Sequence, residues 1–78
     1  MNIANKVAFG TISSLMKGSV KVNIRHRRDG YWKEDIFSGE LSELWINRDL
    51  FWKIERSPVN ALYVENDVLY IGIEGQAS

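Results

Sequence analysis

Seventy-eight residues, 45% of them apolar and 26% charged, suit a single soluble domain over 1–78 and exclude a disordered tail. Ten Lys and Arg balance ten Asp and Glu, so no overall field draws the chain to DNA or to an anionic bilayer. The absence of cysteine removes disulfides, thiolate metal sites and cysteine nucleophiles together.

The stretch from Met1 to Phe9 contains no uninterrupted apolar run of the length that a signal peptide or a membrane helix needs. A cytoplasmic protein without a membrane partner is the expectation. From Asn2 to Lys17, Ile3, Val7, Ile12, Leu15 and Met16 recur at helical spacing, with Asn2 as a cap and Gly18 as a terminator. Gly10 breaks that pattern at a cost of about 1 kcal/mol relative to Ala. The alternative is a shorter helix from Thr11 to Lys17, capped by Thr11.

The period changes at Ser19. Val20, Val22, Ile24 and His26 alternate with Lys21, Asn23, Arg25 and Arg27, the two-residue repeat of a half-buried strand. Arg28-Asp29-Gly30 reads as a three-residue hairpin loop leading into a strand from Tyr31 to Ser38, which sets Val22 opposite Ile36 and His26 opposite Trp32. A two-residue loop is the alternative and turns the second strand over.

Ser38 then offers a cap for a helix running through Trp45, with Glu40 and Glu43 in its first turn, where the helix dipole favours them. Leu41, Leu44 and Trp45 form its core-facing stripe, and the helix frays near Asn47 to Asp49. Leu50 to Ile54 reads as either helix or strand, and Ser57-Pro58 breaks both. Val59 to Glu65 and Val68 to Glu74 flank Asn66-Asp67, a two-residue hairpin loop. Direct pairing puts Val64 with Leu69, Leu62 with Ile71 and Asn60 with Ile73 on one face, and Tyr63 with Tyr70 and Ala61 with Gly72 on the other. The fold class that follows is α+β: a small antiparallel sheet of about four strands, built from two hairpins, with one or two helices on one face.

Reactive groups are few. His26 is the only histidine and falls beside apolar residues, where a packed side chain is the usual role. Glu34 and Asp35 are adjacent in a strand and point apart, no glycine-rich phosphate loop occurs, and the serines lack a base partner. The expectation is a protein that is not an enzyme and takes no cofactor or metal.

Charge is distributed unevenly. Residues 1–39 carry seven basic and three acidic side chains, and residues 40–78 the reverse. Lys21, Arg25, Arg27, Arg28 and Tyr31 make the candidate set for single-stranded nucleic acid, cations on phosphates and rings on bases. The acidic half opposes a long polyanion, so nucleic acid ranks as the alternative.

Three tryptophans are many for a core this small, and Trp45, Phe51, Trp52 and Trp32 are the candidate anchors for a partner protein. Homodimerisation would use the same aromatic excess.

The succession of a helix, a strand, the Asp-Gly turn, a strand, Phe37-Ser38-Gly39-Glu40-Leu41-Ser42-Glu43-Leu44 and finally Asn66 to Glu74 resembles very short uncharacterised accessory proteins of phages and prophages of Gram-positive bacteria. The resemblance covers residues 11–74 and carries no catalytic residues. It implies a small phage-encoded protein that binds and inhibits a host protein, anti-CRISPR inhibitors being one kind.

Overall fold

The chain makes its four strands as two hairpins, each closed by a two-residue turn in the left-handed region. The computed structural model describes residues 7–74, and in it β1 (Lys21–Arg28) and β2 (Tyr31–Glu40) form the first hairpin and β3 (Val59–Glu65) and β4 (Val68–Ile73) the second. Asp29 and Gly30 have φ of 55° and 82°, and Asn66 and Asp67 have φ of 54° and 65°. Turns of this hand match the twist of the flanking strands, and Gly, Asn and Asp tolerate them best.

The first hairpin corrects the expected register. Its loop is Asp29-Gly30 alone, with Arg28 opposite Tyr31, and two register shifts follow along the ladder. Val22 therefore lies opposite Gly39 instead of Ile36, and Arg27 instead of His26 lies opposite Trp32. Because side chains alternate between faces, this moves Trp32 to the side of the sheet away from Val22 and Ile24. The second hairpin has the expected pairs from Glu65–Val68 to Ala61–Gly72, after which a bulge puts Val59, not Asn60, opposite Ile73.

The hairpins join in one sheet of order β2-β1-β4-β3, mostly antiparallel, in which β1 and β4 run parallel with Ile24 opposite Ile71 and His26 opposite Ile73. That order places β2 and β3 at opposite edges, so the chain between them must cross the sheet. It does so as α2 (Leu41–Ile46) and α3 (Arg48–Ile54), joined by α1 (Phe9–Ser13) ahead of β1. Three short helices thus stand where one or two were expected.

Their caps also differ from expectation. Ser38 does not cap α2, because β2 continues through Glu40 and Ser38 pairs with Asn23. Glu40 takes the cap position without a side-chain hydrogen bond. Asn47, expected to lie in a fraying end, caps α3 by accepting a hydrogen bond from the Leu50 N–H at 3.3 Å, which makes residues 50–54 helical. At α1 the cap position is Ala8 and not Thr11; Asn2 lies outside the described residues. Residues 7–9 run antiparallel to 57–59, with the Phe9 N–H on Ser57 O at 2.9 Å and the Val59 N–H on Val7 O at 2.8 Å.

All three helices lie on one face. Phe9, Leu41, Leu44 and Ile54 from the helices meet Val22, Ile24, Ile71 and Ile73 from the two central strands in a single buried cluster. Each such side chain contributes about 1.5–3 kcal/mol when removed from water. Among the described residues nothing covers the other face of the sheet except its own side chains.

Candidate functional site

The uncovered face is built by the residues that alternate with the core. On β1 these are Asn23, Arg25 and Arg27; cross-strand pairing adds Trp32 and Asp35 from β2, Tyr70 and Gly72 from β4, and Ala61 and Tyr63 from β3. Their sizes are unequal, and this shapes the surface. Gly72 and Ala61 oppose one another on the inner strand and edge of the second hairpin, and Arg27 and Asn60 close over Gly72.

Tyr63 and Tyr70 stack with centroids 4.9 Å apart and planes within 9°, and Trp32 meets Tyr63 edge-on at 5.6 Å. The Arg27 guanidinium lies 5.4 Å above the Trp32 ring, a cation–π contact. Gly72 is what admits this arrangement. A Cβ at that position would stand 3.0 Å from Arg27 Cβ, from Arg27 Cδ and from Asn60 Oδ1. The Asn60 side chain reaches across and donates to Arg27 O at 2.8 Å, while Arg27 Nε and Asn60 Oδ1 are buried without a hydrogen-bond partner. Tyr63, 42% exposed, is the most accessible ring, whereas Trp32 and Tyr70 are half-buried.

A polar cluster continues the face along β1. Arg25 Nε pairs with Asp35 Oδ1 at 2.7 Å and donates to Asn23 Oδ1 at 2.9 Å. The Asn23 amide in turn donates to Asp35 Oδ1 at 3.2 Å. Three side chains from two strands therefore hold each other in place, with Arg25 neutralised by Asp35. Lys21 lies further along, opposite Glu40.

The structure separates the four aromatic anchors read from the sequence. Trp32 is on the uncovered face, and Trp45, Phe51 and Trp52 are on the helices of the other layer. Phe51 packs edge-on against the buried Phe9 at 6.1 Å and belongs to the core boundary. Trp45 lies over Gly18. Trp52 alone stands well out, 62% exposed. No single surface holds all four.

The basic set is also divided. Lys21, Arg25 and Arg27 share the uncovered face, while Arg28 and Tyr31 flank the turn and alternate to the other side. Tyr31 is exposed there, with Lys33 Nζ 5.9 Å from its ring centre. His26 is half-buried at the end of the core-facing row, opposite Ile73 and away from Trp32, and its Nδ1 has no hydrogen-bond partner. Among the described residues no three His, Asp or Glu side chains gather as metal ligands, and no helix is long and apolar enough to cross a membrane.

Tyr63, Tyr70, Asn23, Asn60 and Asp35 belong to the face but were not singled out from the sequence. The pairing of Tyr63 with Tyr70 on the less aliphatic side of the second hairpin was the available signal. No family model, curated protein or solved structure matches this chain.

Proposed function

We propose that this chain is a non-enzymatic binding module that engages another protein through the uncovered face of its sheet. The observation that carries this reading is the Trp32–Tyr63–Tyr70 ring cluster beside Arg27, on a face that none of the described helices covers. Trp, Tyr and Arg are the side chains that dominate protein interfaces, because they bring large area with few rotatable bonds and a polar tip. Here they are already held by one another, so little ordering entropy is lost on docking. The resemblance to short phage and prophage proteins supports a host protein in the cytoplasm as the partner, and inhibition of that protein as the consequence.

Single-stranded nucleic acid is the second reading, because Lys21, Arg25 and Arg27 line the same face as Trp32 and Tyr70. The ion pair of Arg25 with Asp35 and the placement of Glu40 opposite Lys21 weaken it.

Affinity capture from host lysate, with and without nuclease, separates the two. Protein recovered regardless of nuclease, and reduced about tenfold or more by Tyr63→Ala with the fold intact by circular dichroism, is the expected result. Recovery that disappears with nuclease favours nucleic acid. Recovery indifferent to Tyr63→Ala but lost in Trp52→Ala moves the interface to the helical layer.

A further inference from the structure

We infer that the free edge of β3 pairs with the β3 edge of a second copy, antiparallel about a two-fold axis at Tyr63, joining two four-stranded sheets into one. This rests on the strand edge and not on the reading of the uncovered face given above.

The two edges of the sheet are unlike. β2 is guarded in the ways that edge strands usually are: it has two register shifts, and Lys33, Glu34 and Asp35 are exposed along it. β3 has a single register shift, at Asn60, and no charged side chain from Asn60 to Val64. It carries Leu62, 50% exposed, and Val64, 67% exposed, on the side facing the helical layer, and Tyr63 on the other. Among the described residues no strand lies along its outer edge, and the contact nearest to one is the hydrogen bond of the Val59 N–H to Val7 O.

Hydrogen-bond parity selects the register. In a hairpin closed by two residues, the pair next to the loop exchanges both backbone bonds, so Glu65, Tyr63 and Ala61 turn their N–H and C=O groups toward β4. Leu62 and Val64 turn theirs outward. Among the described residues these four groups meet no partner along the edge. A two-fold centred on Leu62 or on Val64 satisfies only the groups of that residue. Centring on Tyr63 puts Leu62 opposite Val64 of the second copy and Val64 opposite its Leu62, so that all four groups are paired.

The side chains agree with that register. Leu62 and Val64 of each copy lie against those of the other on one side, while Tyr63 meets Tyr63 on the other, in the close-spaced type of pair. Glu65 falls opposite Ala61, so no like charges oppose one another. The balance of ten basic and ten acidic residues removes any general repulsion between copies.

Analytical ultracentrifugation of the full chain, from about 10 µM to about 500 µM, tests this against the 9.0 kDa monomer mass. The expected result is a rising fraction of dimer that Val64→Lys abolishes without changing the circular dichroism spectrum of the monomer. A monomer at every concentration overturns the proposal. A dimer that survives Val64→Lys also overturns it. Because the chain has no cysteine, Tyr63→Cys supplies a single thiol at the two-fold position. Mild oxidation should cross-link it far faster than Leu15→Cys, which places an exposed thiol elsewhere, and equal rates would refute the register.

Discussion

Replacing Gly72 by Ala tests whether the uncovered face is held together by the close approach over that residue. The added methyl would lie 3.0 Å from three atoms, Arg27 Cβ, Arg27 Cδ and Asn60 Oδ1. Carbon–carbon contacts prefer about 3.5–4.0 Å, so the two contacts with Arg27 fall short by roughly half an ångström or more. Arg27 Cδ can swing aside, but Arg27 Cβ is fixed to the backbone of β1 and can move only with the strand. Overpacking of this kind costs about 1–3 kcal/mol. The backbone of Gly72 is ordinary strand, so Ala also gains about 0.5–1 kcal/mol from the smaller freedom of the unfolded chain.

The net expectation is a loss of up to about 2.5 kcal/mol, at about 4–8 °C in Tm per kcal/mol for a domain of this size. Urea and thermal denaturation measure the stability, and near-ultraviolet circular dichroism reports the packing of Trp32, Tyr63 and Tyr70. The near-ultraviolet signal should change together with stability. In an Arg27→Ala background the same substitution should cost less, since the Cδ contact is gone. An unaltered or raised Tm with an unchanged aromatic spectrum would refute the argument that Gly72 is required for the cluster.

Other expectations follow from the caps, the core and the polar cluster. Asn47→Ala removes the side-chain acceptor at the start of α3 and should destabilise the fold by about 0.5–2 kcal/mol, measured by urea denaturation. Leu41→Ala, at a fully buried site, should cost about 2–5 kcal/mol, while Leu15→Ala on the surface should stay within about 0.5 kcal/mol; equal effects in paired thermal melts would contradict the core described here. A double-mutant cycle of Arg25→Ala and Asp35→Ala should return a coupling of about 0.2–1 kcal/mol that falls as salt is raised, because both side chains are partly open to solvent.

The second hairpin was legible almost pair by pair, because its turn residues and its two-residue period are local properties and no bulge intervenes between Glu65 and Ala61. The first hairpin was legible as a hairpin but not in its facing. Its loop is one residue shorter than expected and its ladder slips twice, and a single slip exchanges the two faces of a strand. Trp32 was therefore grouped with the residues of the wrong layer. Phe51 and Trp52 are neighbours in sequence, yet one closes the core against Phe9 and the other stands in solvent.

The sequence by itself determined the α+β class, the four strands, the Asn66-Asp67 turn, the place of the first turn and the inward row of Val22 and Ile24, all of which depend on residues within a few positions of one another. Only the tertiary structure decided the parallel seam between β1 and β4, and with it which strands are edges, which face the helices cover and which rings meet. Those outcomes depend on how the whole chain best buries its limited apolar surface, a quantity that no local window of sequence contains.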